Sequence, residues 1–312
     1  MVELHLHLTG AMAPRTCYEL YKEQGLPLPA EKFEDFEKLL FVDPNAKDLG
    51  EVLKVFDYIC RPLQRLDALK RIAYEEVLAL NAQHLEYAEI RFAPAKSCEQ
   101  GLTQDQVMDA VLEGIGKGLT ECPGIKIGVL LCLMRGMSEE ANQKTLDIAL
   151  KRKGTIVCGL DLAGDEGRYG LAPYAHFFDV ARENKIPFTI HAGEVDRPEN
   201  LRLAMELGAS RLGHATCMIR YPDLMEQARD KRIMVECCLT SNFGTKGIPS
   251  LAEHPIRKFY DYGIPVCLNT DDPTLFMTSI KREKDMAKEL FRFSDQELSI
   301  MGHEAYGYRF LR

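Results

Sequence analysis

The residues able to do chemistry stand in a few short polar groups set among apolar runs. Leu4-His5-Leu6-His7-Leu8 alternates leucine with imidazole, and the two-residue period of a strand puts both rings on one face. Further along come His191 with Glu194 three residues on, His214 after Gly213, and the adjacent acids Asp271 and Asp272. Two imidazoles a few ångströms apart make a poor apolar core, because each carries a donor and an acceptor that need partners. A divalent metal satisfies both. Zinc takes imidazole nitrogen and carboxylate oxygen, and a catalytic site keeps a position open for water. His5, His7, His191 and Asp271 offer three imidazoles and one carboxylate, leaving a net positive centre that acidifies the bound water. Other first-row metals suit the same donors, so from the residues alone zinc is an inference rather than a reading. Glu194 is placed to exchange protons with a substrate, while His214 and Asp272 remain to orient or deprotonate the water. The set describes metal-assisted hydrolysis.

Each of these groups follows an apolar stretch and closes it. Eight such stretches read as strands: 2–8, 86–92, 126–134, 156–163, 187–193, 211–215, 233–239 and 265–271. Between them, segments such as 104–120, 138–151, 173–184, 198–207, 221–231 and 251–262 carry helical spacing. Several strands are apolar nearly throughout, as strands covered on both faces should be. Regular alternation implies a parallel sheet built from βαβ units, and eight units predict an α/β fold of the (β/α)8 TIM-barrel type. The spare length lies between the first two strands, over about 14–83, and reads as a helical insertion with helices over 48–66 and 67–81. No GxGxxG follows the first strand, which argues against an open nucleotide-binding sheet. In a barrel, active sites form at the C-terminal ends of several strands. His5 and His7, His191, His214 and Asp271-Asp272 fall at the ends of strands one, five, six and eight. Taken singly, each has a plainer reading as a helix cap or a turn residue. Together they converge on one face. His84, His176, His254 and His303 lie in helical or loop segments and read as structural or solvated.

Composition narrows the partners. The 312 residues are 46% hydrophobic and 28% charged, with 39 basic against 47 acidic side chains, a net charge of −8. That excludes disorder and coiled coil as the main architecture, and gives no electrostatic footprint for nucleic acid or anionic membranes. No apolar run reaches the roughly 18 residues of a membrane span, and the first residues lack the pattern of a secretory signal. None of the ten cysteines forms a CxxC pair; reduced thiols in a cytoplasmic protein are expected.

The stretches ELHLHLTGA (3–11), DLAGDE (161–166), HAGE (191–194), RLGHA (211–215), CLTSN (238–242) and NTDDP (269–273), in this order, resemble those of the adenosine deaminases of the amidohydrolase superfamily. The resemblance spans nearly the whole chain. It implies a zinc held by His5, His7, His191 and Asp271, and a small purine substrate attacked at C6 by zinc-activated water. It further implies that Glu194 protonates N1, that His214 acts on the water as base and stabilises the developing oxyanion, and that Asp272 bonds N7 and the water. The Gly164 N–H would bond N3, with His7 among the substrate-binding residues, Thr9 on the ribose side, and Leu53 and Phe56 as apolar walls. One departure matters. The family usually has an acid two residues after the second histidine, on the ribose 5′-hydroxyl; here it is Thr9. Threonine lacks a charge-assisted grip worth about 1–3 kcal/mol. A 5′-modified adenosine such as methylthioadenosine, aminodeoxyfutalosine, or free adenine is therefore the alternative to adenosine or 2′-deoxyadenosine.

Overall fold

The structure is a computed structural model that describes residues 1–43 and 45–312. Eight short strands form where the apolar runs lie: β1 Val2–His7, β2 Tyr87–Phe92, β3 Lys126–Met134, β4 Val157–Ala163, β5 Thr189–Ala192, β6 Arg211–His214, β7 Met234–Cys237 and β8 Val266–Leu268. Each pairs in parallel with the next, in two hydrogen-bonded sheets, β1–β4 and β5–β8. Single parallel bridges join the sheets at Leu160 with Phe188 and at Leu6 with Asp271. The order thus runs round a TIM-type barrel, with two thin seams in the ladder. Pro187 explains one of them: it has no N–H to donate, and its carbonyl accepts from the Leu160 N–H at 3.1 Å.

Several strands are shorter than their apolar runs. β5 ends before Gly193, at φ 75°, and β8 stops three residues before Asp271, at φ 62°. The chain leaves the ladder there to turn side chains inward.

Helices alternate with the strands. The helix Gln104–Glu121 opens on a reciprocal cap between Thr103 and Gln106, and Pro198–Leu207 starts on proline and stops at left-handed Gly208, as capping rules require. The segment after β1 departs from the expectation. Leu66–Ala82 is a barrel helix joining β1 to β2, packed closely on Gln104–Glu121. A Cβ at Gly114 would lie 2.3 Å from the Lys70 carbonyl oxygen, and one at Gly118 would lie 2.6 Å from Val77 Cβ. The inserted part is what precedes it. The expected helix over 48–66 is a continuous winding over 49–63 that alternates α-helical with tighter 3₁₀ turns. It ends where Pro62 removes a donor and Arg65 turns extended. Among the described residues no helix is long and apolar enough to cross a membrane, and all ten cysteines are free.

The barrel interior is polar. Glu89, Arg91, Asp161, Arg211 and Glu236 are fully buried. Arg211 pairs with Glu89 at 2.5 Å, and Arg91 with both Asp161 and Glu236 at 2.9 and 3.0 Å.

Candidate active site

Period-two alternation in β1 turns His5 and His7 to the interior, where His191 from β5 and Asp271 from beyond β8 meet them. His7 Nε2 lies 3.2 Å from His191 Nε2 and 3.3 Å from Asp271 Oδ1. His5 Nε2 lies 3.2 Å from the same Oδ1. Both His5 Nε2 and Asp271 Oδ1 are buried and accept or donate no hydrogen bond, and two unprotonated ring nitrogens would otherwise repel. Buried polar atoms left so are costly, and a cation between them removes the cost. The donor set of three imidazoles and a carboxylate fits a zinc-like ion. His214 offers a further ring nitrogen within 4.8 Å of ligand atoms of His5, His191 and Asp271.

The other ring nitrogens are anchored. His5 Nδ1 faces Glu236 Oε2 at 2.7 Å, and His191 Nδ1 faces Asp161 Oδ2 at 2.9 Å. Each carboxylate fixes its ring with Nε2 toward the cluster, the arrangement that metal-binding histidines adopt. Arg91 binds both carboxylates, so one buried guanidinium aims two rings. Burial pushes Asp161 up, but His191 and Arg91 outweigh it and hold the carboxyl well below its usual range. Burial pushes Asp271 up as well, and the His5, His214 and His7 rings reverse that. His7 is pushed well down, chiefly by burial and then by the neighbouring rings and Arg91. Ser241 Oγ donates to Asp271 Oδ2 at 2.6 Å, leaving Oδ1 free.

Glycine makes the crowding possible. A Cβ at Gly213 would stand 3.0 Å from His5 Cε1 and 3.2 Å from His191 Cα. His214 and Asp271 both hold left-handed backbone, at φ 66° and 62°, conformations that non-glycine residues keep only where the surroundings impose them.

Glu194 sits on a turn clamped by Glu166, whose carboxylate accepts the N–H groups of Gly193, Glu194 and Val195 at 2.8, 3.0 and 3.3 Å. Its Oε2 lies 3.8 Å from His214 Nε2. Asp272 Oδ1 is buried without a hydrogen-bond partner. Burial, then Asp271 and Glu194, push Asp272 well above the usual carboxylate range. Gly10 packs against it so closely that a Cβ there would lie 1.7 Å from Oδ1.

A cavity of about 250 Å³ opens on this cluster. His7, Thr9, Leu53, Phe56, Gly164, His191, Glu194, His214, Asp271 and Asp272 all line it; His5 is fully buried beside them. Leu49, Val52, Leu53 and Phe56 line it at helical spacing i, i+3, i+4, i+7. Gly164, at φ 100°, backs onto Arg135.

The chain matches the family profile described as adenosine deaminase over residues 1–311. It is 35% identical over 301 residues to the adenosine deaminase of Haemophilus ducreyi, covering 95% of this chain and 88% of that one. It is 33% identical over 310 residues to the adenosine deaminase of Enterococcus faecalis, covering 99% and 91%. The chain belongs to the adenosine deaminase family. Among solved structures, the Arabidopsis N6-mAMP deaminase MAPDA superposes with a TM-score of 0.90 at 28% identity, covering 100% of this chain and 93% of that one. An amidohydrolase from Burkhoderia ambifaria with bound zinc, at 23% identity and a TM-score of 0.90 over 100% and 85%, shares the fold.

Within this adenosine deaminase frame, sequence reasoning passed over Arg91, Glu236, Glu166 and Arg135. Arg135 is buried and donates to the carbonyls of Leu162 and His191 at 3.1 and 2.6 Å; burial pushes it down. The signal for the first two was present. Glu89 and Arg91 in β2, and Glu236 in β7, are charges inside apolar strand runs, which only a polar barrel interior accommodates. His254, read as structural or solvated, is buried and reaches the site through Asn242.

Proposed function

We propose that the protein hydrolyses the exocyclic amine of a 6-aminopurine nucleoside, adenosine or 2′-deoxyadenosine, giving inosine or 2′-deoxyinosine and ammonia. The observation that carries this reading is the pair of unsatisfied buried atoms, His5 Nε2 and Asp271 Oδ1, beside a cavity that Glu194 and Asp272 also line. His5, His7, His191 and Asp271 hold one zinc. When bound, that ion acidifies a water and supplies Lewis-acid charge.

The chain's own residues do the rest. Attack at C6 breaks the aromaticity of the ring, so an acid must take up the charge that develops at N1. Glu194 carries that proton; the carboxylate takes it from the attacking water and delivers it to N1, a role for glutamate in zinc deaminases generally. The amine then takes up the remaining proton of the attacking water as the C6–N bond breaks, so that ammonia leaves and the 6-oxo purine remains. Asp272 in its protonated form donates to N7, and the Gly164 N–H to N3. Paired at three ring nitrogens, the site rejects a pyrimidine, which would leave buried polar groups unsatisfied. His214 bears on the attacking oxygen, either as base or as donor, and the two roles require opposite tautomers.

A second reading is favoured by Thr9 and Lys96, which line the same cavity. Thr9 removes the family's usual negative charge, and among the described residues Lys96 forms no ion pair. A neutral hydroxyl with a free ammonium suits an anionic 5′ substituent, and a 28%-identical neighbour is named for N6-mAMP. An assay of ammonia release across adenine, adenosine, 2′-deoxyadenosine, methylthioadenosine, aminodeoxyfutalosine and AMP tests both readings. Turnover of none of them removes the proposed activity.

A further inference from the structure

Three side chains run from the N-terminus of a helix to the cavity. The helix Ile256–Tyr262 begins after Pro255, and its first N–H, on Ile256, donates to His254 Nδ1 at 3.1 Å. His254 Nε2 lies 3.0 Å from Asn242 Oδ1. Asn242 Nδ2 lies 2.9 Å from His214 Nδ1. All three side chains are buried.

A backbone N–H can only donate, so the direction of the whole series is fixed from one end. His254 Nδ1 accepts and therefore carries no proton. Its proton is on Nε2, which donates to Asn242 and can meet only the oxygen of that amide. The amide nitrogen then faces His214, and an amide nitrogen only donates. His214 Nδ1 is thus an acceptor, and the neutral ring keeps its proton on Nε2. Burial, and then nearby His214, push His254 down to about 3, so His254 does not become a second donor at Nδ1 at neutral pH.

We propose that His254 is a positioning residue which, through Asn242, holds His214 with its proton on Nε2, so that His214 serves the reaction as a hydrogen-bond donor to the attacking oxygen. The nitrogen concerned is the one 3.8 Å from Glu194 Oε2. In that tautomer His214 has no lone pair with which to take the water's proton. The transfer then belongs to Glu194, and His214 stabilises the negative oxygen as it forms. The role of His214 rests on the deaminase reading; its tautomer does not.

The test is ¹⁵N nuclear magnetic resonance of the histidine rings in the zinc-loaded enzyme, with His214 assigned by its loss in a His214→Gln sample. A protonated Nε2 and unprotonated Nδ1 are expected, and a proton on Nδ1 overturns the proposal. Asn242→Asp, nearly isosteric, puts a carboxylate opposite Nδ1 and should move the proton there. With the donor lost, kcat should fall about 10²–10³-fold while KM changes little. His254→Gln keeps an N–H toward Asn242 and should retain most of kcat, whereas His254→Phe should not. If Asn242→Asp keeps the native tautomer, or moves the proton with kcat unchanged, His254 and Asn242 do not act as proposed. If no 6-aminopurine releases ammonia while the native tautomer is as expected, the deaminase reading fails and the hydrogen-bond series stands.

Discussion

Asp271 is joined to His5 twice: its backbone N–H donates to the His5 carbonyl at 2.9 Å, and its Oδ1 lies 3.2 Å from His5 Nε2. The first contact belongs to the seam between β1 and the end of β8; the second belongs to the proposed metal site. His7 adds to both, donating its N–H to the Asp271 carbonyl at 2.8 Å and turning Nε2 to within 3.3 Å of Oδ1. Closing the barrel and assembling the ligands are therefore one event.

From this we expect about one zinc per purified chain by elemental analysis. Chelation should abolish turnover and lower the thermal midpoint, because the ion binds only where the seam is closed. Zinc at one hundred times its dissociation constant stabilises the native state by about 2.7 kcal/mol. Full activity in metal-free protein, or a midpoint indifferent to zinc, contradicts the assignment.

Glu194→Gln keeps the size of the side chain and its place on the turn held by Glu166 but cannot carry a proton to N1. We expect kcat to drop by several orders of magnitude, with zinc content and binding of a purine product nearly unchanged. Near-normal turnover would remove Glu194 from the chemistry.

Gly10→Ala probes Asp272 without touching it, since the added methyl would overlap its carboxylate. Displacement of a catalytic group by about 1 Å costs on the order of 10²-fold in rate. The loss should appear in kcat/KM while zinc content holds, and an alanine variant with native kinetics would show that Asp272 is free to move.

Much of this arrangement was legible from residue types and order alone. The HxH alternation, the acids at strand ends and the eight apolar runs gave the barrel and six of the cavity-lining residues, His7, His191, Glu194, His214, Asp271 and Asp272, because period and strand-end position are local properties; Thr9, Leu53, Phe56 and Gly164 came only from the family resemblance. What anchors the rings was not local. Arg91 serves Asp161, 70 residues away, and Glu236, 145 away, and nothing in a linear pattern pairs them. His254, read as structural or solvated, is structural, but its link to the site through Asn242 was not legible, because the two meet only where the segment after β7 folds back. The helical insertion was overextended because amphipathic spacing alone does not distinguish a helix that walls a cavity from one that packs on the barrel.

Glu76 lies on Leu66–Ala82, buried between that helix and the barrel. Burial, and then the charge of Glu3, push it well above the usual carboxylate range. A carboxyl raised in the folded state contributes stability at low pH and loses it as pH rises through the folded-state value. Glu76→Gln has no such charge to bury. Its thermal midpoint should match the native protein at pH 5 and exceed it at pH 8. A variant less stable at pH 8 would mean that Glu76 is ionised and held by partners.

The 5′ side of the substrate is the remaining question, and Thr9 and Lys96 divide it. Thr9→Asp restores a carboxylate able to accept from a ribose 5′-hydroxyl, a charge-assisted bond worth about 1–3 kcal/mol. KM for adenosine should then fall relative to 2′,5′-dideoxyadenosine, which has no hydroxyl to offer. The same carboxylate repels a 5′-phosphate, so AMP turnover should fall in that variant. Lys96→Met removes the ammonium while keeping the apolar stem along the cavity wall. If the site takes an anionic 5′ group, Lys96→Met raises KM for AMP roughly tenfold or more, the effect weakens with added salt, and adenosine is spared. Equal effects on adenosine and AMP would show that Lys96 does not contact the 5′ substituent, and would leave the nucleoside as the substrate.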